Sequence, residues 1–137
     1  MTKRHQVLMV DDQRGWYETM APILREINCE VHYVNTADLA IKELKMVLYD
    51  LLILDLRLDE NKEYNTEGID VLEALGKAKR KPPVIVLSGH INDGLRQKID
   101  QLNAYAILEK TGDGTSPQSS FNRALFIETV KKALASD

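Results

Sequence analysis

The feature that most constrains the fold is a regular alternation of short apolar runs with longer stretches of helical period. The runs are a few residues long and rich in β-branched side chains, which favours strands over helices. The predicted strands cover residues 7–10, 31–34, 51–54, 84–87 and 105–108. The predicted helices cover residues 16–27, 37–48, 69–79, 95–102 and 121–135. This repeat predicts an α/β protein of five strands and five helices.

The connections between the predicted strands are long enough for right-handed crossovers, which implies parallel pairing with helices on both faces of the sheet. Buried central strands of such a sheet are continuously apolar, whereas a strand at the edge alternates. The segments VLMV, LLIL and VIVL are continuous, and CEVHYV at 29–34 alternates. We therefore expect a doubly wound parallel (βα)5 sheet of strand order 2-1-3-4-5, with the second strand at an edge.

The second predicted helix has a clear amphipathic pattern. Thr36 is placed to cap its first turn, because a threonine hydroxyl can accept a hydrogen bond from a free backbone N–H group there. Three-and-four spacing marks one side as the expected buried face. The residues of that expected face are Leu39, Ala40, Glu43, Leu44 and Val47.

Length and charge narrow the possible functions. A chain of 137 residues has the size of one domain, so we expect a single domain over residues 1–137 with no output domain in this chain. The formal net charge of −3 argues against direct, sequence-independent binding of nucleic acid. The one basic cluster is expected to cover a helix end, and it consists of Lys77, Lys79, Arg80 and Lys81.

The single cysteine and the hydropathy pattern indicate where in the cell the protein is expected. Cys29 has no partner for an internal disulfide and lies among apolar residues, so we expect an inert thiol in the core. No apolar run is long enough for the core of a signal peptide or for a membrane span. These features favour a cytoplasmic protein without a membrane partner.

Reactive side chains follow the predicted strands, at the point where each strand ends. Asp11 and Asp12 follow the first strand, Asp55 the third, Ser88 the fourth, and Lys110 follows soon after the fifth. In an open parallel sheet the carboxyl ends share one edge, and ligands bind there at the point where strand order reverses. One such aspartate alone is usually a turn residue or a helix cap. Because all five side chains are expected at one edge of the sheet, the sequence predicts a functional site there.

The expected cluster has the chemistry of a phosphoryl-transfer site. Three close carboxylates repel one another unless a cation lies among them, and oxygen ligands with room for water suit Mg²⁺. A metal ion and the Lys110 ammonium can neutralise the charge of a transferred phosphoryl group. Asp55 is the natural nucleophile, since carboxylates form acyl phosphates.

Five motifs in this order, VLMVDD, LLILDLRL, GIDVLEAL, VIVLSG and AILEK, resemble the receiver domain of two-component response regulators, which has the flavodoxin-like (βα)5 fold. The resemblance implies that Asp55 accepts a phosphoryl group from a histidine kinase or a phosphotransfer protein. It implies that Ser88 and Lys110 contact the phosphoryl oxygens. The implied Mg²⁺ ligands are Asp11, Asp12, Asp55 and the backbone carbonyl of Arg57.

A receiver domain is a signalling module and not a conventional enzyme, since its only chemistry is phosphorylation and dephosphorylation of its own aspartate. The resemblance therefore implies a downstream protein target. It leaves open a weak homodimer through the face formed by the fourth helix, the fifth strand and the fifth helix. Arg57 and His90 flank the expected site, and we expect them to influence the lifetime of the acyl phosphate.

Four features depart from the family pattern. Ile107 occupies the position of the usual aromatic switch residue, for which Tyr105 could partly substitute. Thr111 replaces a proline that commonly follows the lysine, so we expect a trans peptide bond there. The acidic loop at 59–67 is longer than usual, and its length is expected to affect partner access or to be a tolerated insertion. The Gly- and Ser-rich loop at 112–120 is expected to be mobile and to loosen the adjacent face.

Three other functions remain as alternatives. A pseudo-receiver would use the same fold as a constitutive protein-binding module. A Mg²⁺-dependent phosphohydrolase similar to the haloacid dehalogenase group would need a second aspartate two positions after its nucleophile on the first strand, and DDQRG lacks this spacing. Flavin binding is suggested by fold analogy alone, and three carboxylates would repel the flavin phosphate.

Overall fold

A computed structural model describes residues 3–56, 67–78, 81–89 and 93–135. The strands are β1 (His5–Val10), β2 (Cys29–Val34), β3 (Leu51–Asp55), β4 (Val84–Ser88), β5 (Ala106–Thr111) and β6 (Ser120–Phe121). The helices are α1 (Arg14–Glu26), α2 (Ala37–Met46), α3 (Glu67–Gly76), α4 (Asp93–Gln101) and α5 (Arg123–Ala135). Each predicted element is present with shifted ends, and β6 is additional.

The strands form one sheet in the order β2-β1-β3-β4-β5-β6. The first five strands pair in parallel, with Val7 of β1 opposite Val31 on one side and Leu51 on the other. This arrangement confirms the α/β fold, the strand order 2-1-3-4-5 and the edge position of the second strand. β6 adds a short antiparallel pair at the opposite edge.

The sheet separates two hydrophobic cores, which explains why its central strands are continuously apolar. Successive side chains of a strand point to opposite faces. Leu8 and Leu52 pack with α2, α3 and α4 on one face, whereas Val7 and Leu51 pack with α1 and α5 on the other. Among the described residues, no helix is long and apolar enough to cross a membrane.

Helix α2 confirms its predicted cap, whereas its buried face matches the predicted one only in part. The hydroxyl of Thr36 accepts a hydrogen bond of 3.2 Å from the backbone N–H of Leu39. Ala40 is buried and Leu44 partly buried, but the side chains of Leu39 and Val47 are 47% and 37% exposed. The face that packs on the sheet contains Ala37, Ala40, Ile41 and Leu44. This set has the same three-and-four spacing, so periodicity alone could not choose between the two faces.

The N-terminus of α5 differs from the prediction. The helix begins at Arg123 and not at residue 121, because Phe121 belongs to β6 and pairs with Lys110. Asn122 caps the helix, since its side-chain oxygen accepts a hydrogen bond of 3.0 Å from the backbone N–H of Leu125. The predicted trans bond between Lys110 and Thr111 is confirmed, as the described residues contain no cis peptide bond.

The loop at 112–120, which composition predicts to be mobile, has a hydrogen-bonded conformation in the structure. The carboxylate of Asp113 accepts bonds from the backbone N–H groups of Thr115 and Ser116, at 2.9 and 2.8 Å. These two bonds lower the pKa of Asp113 to about 2. The loop also contacts α1, since the Thr19 hydroxyl donates a bond of 2.5 Å to the carbonyl of Gly114. Polar side chains thus form hydrogen bonds with the backbone N–H and carbonyl groups of the loop, which composition alone does not reveal.

Replacing Gly114 by alanine is expected to destabilise the fold. Gly114 has φ +95°, and a Cβ atom would lie 2.5 Å from the backbone of Gly15 and of Trp16. We expect a loss of more than about 1 kcal/mol in the free energy of unfolding, measured by urea denaturation. Gly76→Ala is the matched control, because a Cβ atom there meets nothing within 4 Å. Equal stability of the two variants would contradict the docking of the loop on α1.

Cys29 is expected to be unreactive in the folded protein. Its side chain is fully buried, and burial together with the charge of Asp50 raises the pKa of the thiol from 9.0 to about 11. The unfolded thiol ionises first as pH rises, so this group lowers stability between pH 9.0 and about 11 and has no effect at neutral pH. A chromogenic thiol reagent should react slowly in native buffer and completely in urea. Rapid native reaction would contradict the burial of Cys29.

Candidate functional site

The carboxyl ends of the parallel strands place four of the predicted site residues at one edge of the sheet, where Asp11, Asp55 and Lys110 form a buried cluster. Asp11 directly follows β1, Asp55 ends β3, Ser88 ends β4 and Lys110 lies near the end of β5. The side chains of these four residues are at most 6% exposed. The Lys110 ammonium lies 2.5 Å from a carboxylate oxygen of Asp11 and 3.8 Å from one of Asp55. Sequence reasoning therefore placed these residues at the correct edge of the sheet.

In the cluster, the Lys110–Asp11 ion pair is closer than the Lys110–Asp55 pair. Burial raises the pKa of Asp11, while the charge and hydrogen bond of Lys110 act in the opposite direction. Removing two charges from water is costly, and a close, hydrogen-bonded pair is what offsets that cost. The pair therefore makes the position of each partner dependent on the other.

Backbone contacts orient Asp11. Its second carboxylate oxygen accepts a hydrogen bond of 2.9 Å from the backbone N–H of Gln13. Its backbone carbonyl accepts a bond of 2.6 Å from the hydroxyl of Tyr33, at the end of β2. Burial and then the charge of Asp11 raise the pKa of Tyr33, so the phenol remains a donor. Sequence reasoning missed Tyr33, because it lies on the predicted edge strand, to which no site residue was assigned.

Asp12 completes a group of carboxylates that could hold a metal ion. It is partly buried, and one oxygen from each of Asp11, Asp12 and Asp55 lies within 4.8 Å of the others. Three ionised carboxylates and the Lys110 ammonium sum to a formal charge of −2 (−3 + 1). An excess of negative charge carried by hard oxygen donors fits a divalent cation such as Mg²⁺.

Two predicted residues, Arg57 and His90, lie outside the described residues, as does nearly all of the acidic loop at 59–67. The two candidate switch residues are described. Ile107 packs partly buried against the core that contains α2, α3 and α4. Tyr105 precedes β5 and is 43% exposed. The position of the usual aromatic switch is therefore filled by an aliphatic side chain.

Trp16 is a neighbour of the site that sequence reasoning assigned only to a helix. Its ring is fully buried, and the Lys110 ammonium lies over it at 5.0 Å from the ring centroid. Trp16 lies in the first turn of α1, four residues after Asp12. The signal that could have identified it is the placement of the only tryptophan of the chain in the turn that follows the two aspartates.

The fold and site define a flavodoxin-like α/β domain that bears an acidic cluster and a buried lysine at the carboxyl ends of its strands. The family model described as the response regulator receiver domain matches residues 7–116. The chain belongs to this family, whose members act in signal transduction. Receiver domains generally bind Mg²⁺, which agrees with the carboxylate group at this site.

Curated relatives are longer proteins. The cell cycle transcriptional regulator CtrA of Caulobacter vibrioides is 31% identical over 84 residues, which are 61% of this chain and 34% of CtrA. The nitrogen assimilation regulatory protein NtrX of Azorhizobium caulinodans is 26% identical over 106 residues, which are 77% of this chain and 23% of NtrX. The chain thus matches about a third of CtrA and about a quarter of NtrX.

Solved structures of receiver proteins have the same fold. A response regulator receiver protein from Burkholderia phymatum is 26% identical with a TM-score of 0.73, and the match covers 96% of each chain. A CheY-like receiver domain from Methanospirillum hungatei is 20% identical with a TM-score of 0.79, covering 96% of this chain and 94% of that one. The second similarity concerns the fold alone.

Replacing Lys110 by methionine is expected to destabilise the protein in the absence of divalent metal. The change leaves Asp11 buried without its cation, which costs about 3–5 kcal/mol in comparable buried pairs. The loss should shrink at acidic pH, because protonation removes the uncompensated charge. Urea denaturation in the presence of a chelator measures this effect.

Lys132→Met is the matched control, since Lys132 forms an exposed ion pair with Glu128. We expect it to change stability by less than about 1 kcal/mol. Added Mg²⁺ should stabilise Lys110→Met more than the wild type, because the removed ammonium no longer repels a cation at the site. Equal stability of the two methionine variants in chelator would show that the Lys110–Asp11 contact contributes nothing.

Proposed function

We propose that this chain is the phosphoacceptor receiver domain of a two-component response regulator. Asp55 accepts a phosphoryl group from a histidine kinase or a phosphotransfer protein, and phosphorylation changes the affinity for a downstream protein. The single observation that carries this proposal is the convergence on Asp55 of the buried Lys110 ammonium, at 3.8 Å, and of the carboxylates of Asp11 and Asp12. Membership of the receiver family supports it.

In the proposed reaction an oxygen of Asp55 forms a bond to phosphorus. The bond between phosphorus and the histidine nitrogen of the donor breaks, and its electron pair stays on the nitrogen. The Lys110 ammonium neutralises charge on the phosphoryl oxygens, and the hydroxyl of Ser88 can donate a hydrogen bond to one of them. Attack by water on the acyl phosphate would later release inorganic phosphate and restore the Asp55 carboxylate.

The residues that would hold Mg²⁺ are Asp11, Asp12 and Asp55, and the family resemblance adds the backbone carbonyl of Arg57. The chemistry that this ion supplies when bound is neutralisation of negative charge on the transferred group. Without a cation, the carboxylates at the site would repel an incoming phosphoryl group. We therefore expect phosphorylation to require both Mg²⁺ and Asp55.

The proposed response to phosphorylation is a shift between two conformations of the Ser88 side of the molecule. Ile107 cannot undergo the rotamer change of a buried aromatic switch residue, so the output conformation should differ from the usual one. We retain a cytoplasmic, non-enzymatic signalling module as our prediction. A weak homodimer through α4, β5 and α5 also remains a prediction.

The second candidate is a pseudo-receiver that binds a partner constitutively. The observation that favours it is the aliphatic Ile107 at the switch position, which removes one usual element of the phosphorylation response. The two candidates differ in one property, since only a phosphoacceptor forms an acyl phosphate on Asp55.

Incubation with acetyl phosphate followed by intact-mass measurement tests the proposal. We expect one added phosphoryl group in the wild type with Mg²⁺, and none without Mg²⁺ or in Asp55→Asn. Asp70→Asn is the matched control, because Asp70 is an exposed aspartate of α3 that does not belong to the group of Asp11, Asp12 and Asp55, and the variant should be modified like the wild type. Absence of an adduct under rapid quenching, together with failure to bind fluoroberyllate, would favour the pseudo-receiver.

A further inference from the structure

Among the described residues, Lys110 lies close to three groups, of which two are carboxylates. Its ammonium lies 2.5 Å from Asp11, 3.8 Å from Asp55 and 5.0 Å from the centroid of the Trp16 ring. A lysine has a flexible four-carbon stem, so its charge needs several contacts to hold one position. The face of an indole ring attracts a cation, and the attraction is strongest where water is excluded, as it is around this buried pair.

The Trp16 ring is itself held on two further sides. Its indole N–H donates a hydrogen bond of 3.0 Å to the backbone carbonyl of Gly112, two residues after Lys110. Phe121 of β6 meets the ring edge-to-face at 5.6 Å, and Phe126 of α5 supports Phe121 in the same way at 5.9 Å. The orientation of the ring that faces Lys110 is therefore set by β6 and by the loop at 112–120.

The same loop is anchored to α1, the helix that carries Trp16. The Thr19 hydroxyl donates to the carbonyl of Gly114 at 2.5 Å, and Gly114 has φ +95° and lies against the backbone of Gly15. The ring, the loop and the lysine thus form one connected unit at the end of β5. Trp16 and Phe121 belong to the core on the α1 and α5 face of the sheet, whereas Ile107 packs on the opposite face.

We propose that Trp16 is a positioning residue for Lys110: the face of its indole ring holds the ammonium toward Asp11 and Asp55, and its N–H group couples the ring to the loop at 112–120. This inference deepens the proposed function and rests on it, since it assigns a means by which Lys110 is aimed at the phosphoryl-accepting carboxylate. A movement of Lys110 toward a phosphoryl group on Asp55 would change its contact with Trp16.

Three variants separate positioning from packing. Trp16→Leu removes the aromatic face, Trp16→Phe keeps a face but removes the N–H group, and Leu24→Ala removes buried volume from the same helix away from Lys110. We expect Trp16→Leu to slow phosphorylation by acetyl phosphate about tenfold, and Trp16→Phe to restore the rate to within about threefold of the wild type. Leu24→Ala should lower stability and leave the rate unchanged.

A spectroscopic test on the unphosphorylated, metal-free protein does not depend on the proposed function. The ring current of Trp16 should move the NMR signals of the Lys110 ε-methylene group upfield, with assignment by their loss in Lys110→Met. The shift should disappear in Trp16→Leu and persist in Leu24→Ala.

The outcomes distinguish failure of the inference from failure of the proposed function. Absence of the upfield shift in the wild type overturns the positioning role, whatever the phosphorylation result. A rate for Trp16→Leu equal to that of Leu24→Ala also overturns it, because loss of packing alone would then explain the variant. A wild type that shows the shift but accepts no phosphoryl group rejects the proposed function and retains the Lys110–Trp16 contact.

Discussion

A buried ammonium among carboxylates is the constraint on which the rest of the site depends. Lys110 lies on β5 and Asp11 follows β1, and three strand spacings separate these two strands in the sheet order. At about 4.8 Å per spacing, a flat sheet would separate them by roughly 14 Å. The side chains of Lys110 and Asp11 bridge this separation, and their charged atoms lie 2.5 Å apart. The ion pair therefore links the ends of two strands that are not neighbours in the sheet.

The two hydrophobic cores provide the rigidity that this ion pair requires. Every residue of β3 and β4 is buried, so helices on both faces hold the strands whose ends carry Asp55 and Ser88. A closely packed interior resists small displacements, and a buried charge tolerates little misplacement of its partner. The apolar runs of the sequence therefore fix the positions of the polar residues that follow them.

The segment that follows β5 contacts the aromatic neighbour of the site. A β6 strand and a hydrogen-bonded loop follow Lys110, and both contact Trp16 on α1. The aromatic side chains near the lysine therefore lie on the α1 and α5 side of the sheet, while Ile107 lies on the other.

Sequence periodicity was sufficient to predict the α/β class, the strand order and the edge of the sheet where Asp11, Asp55 and Lys110 meet. These features follow from local rules, since strand-end positions and continuous apolar runs are properties of the chain itself. The buried face of α2, the β6 strand and the contacts of Trp16 and Tyr33 were decided by tertiary structure alone. For each of these features, the local sequence permits several arrangements that are equally periodic or equally polar. Only packing against distant parts of the chain, across the sheet, selects one of them.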